Sequence, residues 1–146
     1  MTEISSLEDR LAERCATAMY ERDAASRSLG IELASVAAGR AELTMKVADW
    51  MLNGAGVCHG GLIFALADTA MAFASNSRNE NMLAMNASIE FVAAGKAGET
   101  LRAVTNELHR SGRTATYDVS VFDESHALVA QFLGRTYRVK GQQIDD

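Results

Sequence analysis

The period of the apolar positions changes along the chain, and each change marks an element. Over residues 5–22, Leu7, Leu11, Cys15, Ala18 and Met19 recur at three- and four-residue steps, with Glu8, Arg10, Glu13 and Arg14 between them. This predicts an amphipathic helix lying on the core. Ser5 or Ser6 is placed to cap it, with Glu8 or Asp9 in its first turn. Asp23 is placed to cap a short second turn that stops at Gly30. From Ile31 the period becomes two. Ala41, Leu43, Met45 and Val47 alternate with Glu42, Thr44, Lys46 and Ala48, and Ala38-Gly39 joins this strand to one at Ile31 to Ala37.

The pattern then closes up. Between Trp50 and Ser77 a glycine-rich loop gives way to Leu62, Ile63, Phe64, Ala65, Leu66, Ala67, Ala70, Met71, Ala72, Phe73 and Ala74. A helix apolar on nearly every side is buried on nearly every side. From Gly60 to Ser77 it would run about 27 Å. Asp68 and Thr69 interrupt it. Burial of an unpaired carboxylate is costly, so Asp68 is expected to be paired, protonated or functional. After Asn81 four strand-like segments follow, at about 82–93, 99–109, 113–123 and 127–138, separated by Gly95 and Gly98, Ser111-Gly112, and Asp123 to His126. Short turns imply an antiparallel meander. The tail, residues 141–146, is expected to fray. The order predicts an α+β domain, one antiparallel sheet wrapped around one long central helix. Such a sheet leaves open edges, which predicts a dimer at least.

Composition narrows the function classes. At 146 residues, 48% of them apolar, the chain is expected to form a single domain over 1–146 with a real core. A net charge of -5 argues against a general nucleic-acid binder. The start, MTEISSLEDRLAER, has no apolar run after a basic segment, and the central helix is too interrupted for a membrane span. Two cysteines, Cys15 and Cys58, make no disulfide framework. A cytoplasmic protein is the expectation, with no membrane partner.

The chemistry concentrates at Asn53-Gly54-Ala55-Gly56-Val57-Cys58-His59-Gly60-Gly61. Glycines at a helix start free N–H groups that, with the helix dipole, attract a phosphate or a developing oxyanion. The phosphate-loop reading fails on spacing: a dinucleotide fingerprint from Gly54 needs glycine at His59, and a Walker loop needs lysine at Leu62. The oxyanion reading needs a base, and Asp68 is the obvious one. It lies about 10 Å from Gly61 along one helix axis, so the two act on one carbonyl only if they come from two subunits. Plainer readings stand beside these. Asp68 is a buried ion-pair partner of an arginine, His59 an orienting loop residue, Asn53 a turn former. Cys58 beside His59 suggests a nucleophile pair, but neighbours on an extended loop point apart. Cys58, His59 and Asp68 lack the number and spacing of a metal site, and none is expected.

At these residues the chain resembles the hotdog-fold acyl-CoA thioesterases, in particular the PaaI type of phenylacetic acid degradation. The carrying residues are Met51-Leu52-Asn53-Gly54, His59-Gly60-Gly61, Leu66-Ala67-Asp68-Thr69-Ala70 and Asn76-Ser77. The resemblance spans roughly residues 18 to 140. It implies a hotdog fold, with the long helix wrapped by the sheet, a homodimer that forms the active site, and a homotetramer of two such pairs. It implies hydrolysis of acyl-CoA, with phenylacetyl and ring-hydroxylated phenylacetyl thioesters as substrates and no cofactor beyond the CoA of the substrate. Asp68 matches the carboxylate that attacks or activates water. Gly61, with Gly60, matches the amide that polarises the thioester carbonyl. Asn53 and His59 match the pair beside the thioester, and Thr69 falls in the substrate-binding part of the motif. Related thioesterases outside the PaaI type can carry a serine on the strand after the helix; here Ala84 or a neighbour takes that position, and no such role is assigned. Because CoA is anionic and the chain acidic, basic residues must hold its phosphates, and Arg110 and Arg113 near a turn are the candidates. The rival readings are a non-catalytic acyl-CoA-binding protein and a hotdog hydratase or dehydratase.

Overall fold

The computed structural model describes residues 6–145. Three α-helices, α1 (Leu7–Arg22), α2 (Ala24–Ser28) and α3 (Gly60–Ser75), accompany six strands: β1 (Ile31–Ala37), β2 (Arg40–Lys46), β3 (Asn81–Phe91), β4 (Thr100–Ser111), β5 (Thr114–Phe122) and β6 (Leu128–Val139). Ser6 caps α1, its hydroxyl accepting from Asp9 N at 3.0 Å; Ser5, the other candidate cap, lies outside the described residues. Asp23 caps α2, its carboxylate accepting from Ser26 N at 3.0 Å.

The strands form one antiparallel sheet in the order β1-β2-β4-β5-β6-β3. The expected meander forms over β4-β5-β6 but does not include β3. β3, first of the four late strands, crosses to the far edge and pairs with β6, and β2 takes the place beside β4. Helix α3 touches all six strands. The residues that face it are buried: Leu43 and Met45 of β2, Leu101 and Ala103 of β4, Tyr117, Val119 and Val121 of β5, Phe132 of β6. Phe64 stands edge-on to Phe132 with centroids 5.3 Å apart. Where α3 crosses β6 there is room only for glycine, because a Cβ on Gly134 would run into the Met71 sulfur.

The two sheet edges differ. Helix α1 guards β1: Tyr20 Oη donates to Ile31 O at 2.7 Å, and Asp9 Oδ1 accepts from Ala38 N at 3.0 Å. Edge β3 has no such cover, and Leu83 and Met85 along it are 48% and 53% exposed. Helix α3 is not buried all round either. Ile63, Leu66, Ala67, Ala70, Met71, Phe73 and Ala74 are buried, whereas Ala65, Asp68 and Ala72 form a half-exposed stripe. Bare edge and bare stripe belong to one incomplete side of the molecule.

Asn76 and Ser77, just past α3, fix its end. Asn76 Oδ1 accepts from Met82 N at 2.8 Å, and its Nδ2 donates to Met82 O at 3.1 Å and Ala72 O at 2.8 Å. Ser77 Oγ accepts from Gly39 N at 2.9 Å. Arg78 then grips Glu107 at 2.8 Å, and the buried Tyr117 hydroxyl donates to the same carboxylate at 2.9 Å. Residues 142–144 do not fray: Asn79 Oδ1 accepts from Gln143 N and Ile144 N, both at 2.9 Å, and Gln143 Nε2 donates to Asn76 Oδ1 at 2.8 Å. Asp146 lies outside the described residues. No described helix is long and apolar enough to cross a membrane.

Candidate active site

The loop before α3 is held rigidly from both sides. After a single 3-10 turn at Asp49–Met51 the chain folds back on itself: Asn53 N donates to Val57 O at 2.8 Å and Gly56 N to Asn53 O at 3.0 Å. Gly56 sits at φ +78°, where other residues are strained. Asn53 Oδ1 accepts from Ala55 N at 2.9 Å and Val57 N at 3.3 Å, an Asx turn. Asn53 is thus a turn former in this chain, and its Nδ2 has no acceptor among the described residues. The outgoing limb is tied by Cys58 N to Gly95 O and His59 N to Met51 O, each at 2.8 Å.

The helix begins on this frame. His59 is the N-cap residue, but its imidazole makes no capping hydrogen bond. Its carbonyl accepts from Leu62 N at 3.0 Å and Ile63 N at 3.4 Å. The N–H groups of Gly60 and Gly61 have no acceptor among the described residues. A Cβ on Gly60 would meet the Phe91 ring at 2.9 Å, so the glycine lets the end of β3 close on the helix. At Gly61 the nearest atom to such a Cβ is His59 Nδ1, 3.8 Å away. Two free donors at the positive end of a helix, one of them on an exposed residue, make a candidate anion- or oxyanion-binding point.

Asp68 lies two turns further on the half-exposed stripe. It makes no hydrogen bond or ion pair among the described residues; Arg78, Arg102, Arg110 and Arg138 pair with Glu107, Glu42 and Glu80 instead. Desolvation by the surrounding apolar helix raises its pKa. A half-buried carboxylate of raised pKa with no structural partner is a candidate acid–base group. Neighbouring Thr69 donates its hydroxyl to Ala65 O at 2.7 Å, leaving the oxygen free only as an acceptor. Cys58 is a buried thiol whose pKa burial raises, and its Sγ reaches the His59 carbonyl at 3.7 Å. That is the opposite of an activated nucleophile. No three His, Cys, Asp or Glu side chains cluster for a metal ion among the described residues.

The candidate residues therefore fall into three groups. Asn53, His59, Gly60 and Gly61 meet at the start of α3, and Asp68 and Thr69 lie midway along it. Arg110 and Arg113 sit beyond its far end. Arg110 is held by Glu80 at 2.7 Å; Arg113 lines a surface cavity with Arg138 and Lys140. Sequence reasoning did not look to Phe91, and it named Arg138 and Lys140 only among the basic residues between 110 and 140 without choosing them. The first closes on Gly60 by a contact distant in sequence, and the others are brought to Arg113 by the β5–β6 pairing.

A family model described as the thioesterase superfamily matches residues 55–130. The chain belongs to this superfamily. It is 42% identical to the acyl-coenzyme A thioesterase PaaI of Escherichia coli (strain K12) over 126 residues, 86% of this chain and 90% of that one. The solved E. coli PaaI protein, from the phenylacetic acid degradation operon, superimposes with a TM-score of 0.90 at 40% identity, covering 92% of this chain and 97% of that one. The TT0310 protein from Thermus thermophilus gives 0.78 at 37% identity, with 81% and 99% covered. The fold is the hotdog fold of this superfamily, with α3 as the wrapped helix, and the chain is of the PaaI type.

Proposed function

We propose that this protein hydrolyses acyl-CoA thioesters, aryl-acetyl-CoA foremost, in an active site shared between two copies of the chain. The observation that carries the reading is the pairing of unsatisfied Gly60 and Gly61 N–H groups with a partnerless Asp68 on the same helix. Seven residues separate Gly61 from Asp68, about 10 Å of helix rise, too far for both to touch one carbonyl. Two helices lying antiparallel across a two-fold axis would bring the Gly61 end of one beside Asp68 of the other. The uncovered β3 edge and the half-exposed α3 stripe support that homodimer. Leu83 and Tyr137 are paired across the β3–β6 register, and with Leu133 they stand exposed on the outer sheet face, which supports a homotetramer.

In this reading the thioester oxygen takes the Gly61 N–H, which strengthens as the carbonyl becomes an oxyanion. Asp68 either removes a proton from water as that water attacks the carbonyl carbon or attacks the carbon itself. On the water route the intermediate collapses, the C–S bond breaks, and the thiolate recovers the proton from Asp68. Acid and CoA leave. On the direct route the Asp68 carboxylate bonds to the carbonyl carbon, the C–S bond breaks and CoA leaves as its thiolate; water then opens the resulting anhydride, giving the acid, restoring the carboxylate and releasing the proton that the thiolate takes up. His59 and the free Nδ2 of Asn53 border the reacting groups, and Thr69 the substrate. No cofactor is required, and the enzyme acts in the cytoplasm. The PaaI name and operon of the E. coli relative support the aryl-acetyl choice.

The test is thiol release from phenylacetyl-, hydroxyphenylacetyl-, benzoyl- and short aliphatic acyl-CoA, with a no-substrate blank for Cys15 and Cys58. Turnover led by the aryl-acetyl thioesters is expected. Tight binding with no thiol release would sink the proposal in favour of a non-catalytic binder, and hydration of an enoyl thioester in favour of a hydratase. Single-turnover oxygen-18 incorporation into Asp68 separates direct attack from water activation.

A further inference from the structure

One aromatic side chain beside the helix start has no part in the chemistry described so far. Ala87, Ile89 and Phe91 are alternate residues of β3 and share the face turned to α3. Ala87 and Ile89 pack against the core, and the Phe91 ring closes on Gly60. The atoms that make this contact are Cζ and the two Cε atoms, so the ring meets the glycine tip-first and keeps its faces for other neighbours. Phe91 is 53% exposed. Phe64, one turn beyond Gly60 on the same side of α3, is edge-on to Phe132 instead. The residues that follow, Val92, Ala93 and Ala94, are exposed and apolar, and residues 87–95 include no cation. A phosphate at a helix start is met by cations or further donors. Here the free N–H groups of Gly60 and Gly61 are met by apolar surface. That combination suits a ligand with one polar atom joined to an apolar body, as an acyl carbonyl is.

We propose that Phe91 selects the acyl group, a face of its ring taking the aryl ring of a thioester whose carbonyl sits at the Gly61 N–H of the same copy. The proposal rests on the hydrolase reading above and assigns its acyl preference to one side chain. In an aryl-acetyl group a single methylene separates the carbonyl carbon from the ring, so the ring stays close to the helix start. Two aromatic rings pair best offset or edge-to-face, with centroids about 4.5–7 Å apart. An acetyl group makes no such contact. Pairing of two copies along β3 leaves this side chain in place, because strands join through backbone in the plane of the sheet while side chains stand out of it. Strand β3 also runs back along α3, with Met82 held at the helix end by Asn76 and Phe91 at the helix start. Ala87 is about 13 Å back along the strand from Phe91, and Asp68 about 12 Å along the helix from Gly60. A small residue therefore lies level with the carboxylate and a large one with the donors. A centre shared by two copies combines Phe91 of one with Ala87 of the other, an aromatic wall facing a gap that an aryl ring fills.

The experiment measures kcat/KM for phenylacetyl-CoA and for acetyl-CoA in wild type, Phe91→Ala and Phe91→Tyr, with thermal unfolding beside it. Calorimetry repeats the comparison with the non-hydrolysable thioethers phenylacetonyl-CoA and acetonyl-CoA. Loss of one aromatic contact weakens binding about tenfold. In Phe91→Ala the ratio of the aryl ligand to the acetyl ligand is therefore expected to fall about tenfold by both readouts, while Phe91→Tyr, which keeps the ring, holds it within about threefold. An equal loss on both ligands overturns the proposal, since it marks a residue that only props the helix start. So does an unchanged ratio, a tyrosine variant as poor as alanine, or a wild type that prefers neither ligand. The two readings fail separately. A wild type that releases no thiol, but whose thioether ratio falls in Phe91→Ala, keeps the ring site and removes the hydrolase reading. A wild type that turns over phenylacetyl-CoA with a ratio indifferent to residue 91 keeps the hydrolase and removes the role of Phe91.

Discussion

Gly61→Ala separates folding from chemistry at one position. The residue lies in the first turn of α3, and a Cβ there finds only His59 Nδ1, at ordinary contact distance, 3.8 Å. Its backbone is not in the left-handed region, so alanine fits without strain. Exchanging glycine for alanine in a helix contributes about 0.5–1 kcal/mol of stability. For a domain of this size that raises Tm by about 1–4 °C. Alanine keeps the N–H proposed to meet the thioester oxygen, but helix side chains tilt toward the N-terminus, so the added methyl narrows the approach to that donor. Blocking one oxyanion donor costs about 10²–10³ in kcat. The assay is thermal unfolding beside thiol release from phenylacetyl-CoA, with Gly60→Ala as the contrast. That substitution brings a Cβ to 2.9 Å from the ring edge of the exposed Phe91, which must swing aside, so it is expected to gain less Tm than Gly61→Ala. A Gly61→Ala protein that keeps Tm and also keeps kcat within about threefold would refute the oxyanion role.

Other substitutions test the remaining parts. Asp68→Asn is expected to lose at least about a hundredfold in kcat while gaining stability at neutral pH. Desolvation raises the Asp68 pKa in the folded state above its ordinary 3.8; below that value the carboxyl is neutral folded or unfolded, and as pH rises through the folded pKa the wild type loses stability that asparagine does not. The Tm advantage of the variant should therefore be present at about pH 8 and vanish near pH 4, and an advantage that grew towards acid would contradict the sign. Gly134→Ala pushes a methyl into the Met71 sulfur and to 2.7 Å from the Phe132 ring. A loss of about 1–3 kcal/mol in urea unfolding is expected, and an unchanged midpoint would mean that α3 does not lie this close to β6. Asn76→Ala strands the Met82 N–H and C=O, with an expected loss of about 2–4 kcal/mol by the same assay; a loss below about 0.5 kcal/mol would mean the staple is dispensable.

What the chain order reveals is what local chemistry fixes. The α3 segment carries almost no polar positions, so its helical, buried character is written in consecutive residues, and β4, β5 and β6 end within about two residues of their glycine and aspartate turns. Strand neighbours are another matter. Nothing inside Asn81–Phe91 says that it leaves β4 for β6, because pairing depends on where α3 delivers the chain and on which edge remains open. The tail looked loose by composition, yet Asn79 and Asn76, more than 60 residues earlier, supply its acceptors. At the site, the glycines and Asp68 were legible as chemistry out of place: free N–H groups and a carboxylate in an apolar run. The pairing of Arg110 with Glu80 and the gathering of Arg138 and Lys140 beside Arg113 were not, since they join segments tens of residues apart.

The central claim is that one reaction centre takes Gly61 from one copy and Asp68 from the other. The direct measurement is thiol release after Gly61→Ala and Asp68→Asn proteins, each nearly inactive alone, are unfolded together in equal amounts and refolded. Random pairing puts half the dimers in mixed form, each with one centre carrying both native groups and one carrying neither. Activity is then expected to return to about a quarter of wild type. A mixture no more active than the separate variants, with mixed dimers present by mass, would contradict the shared site.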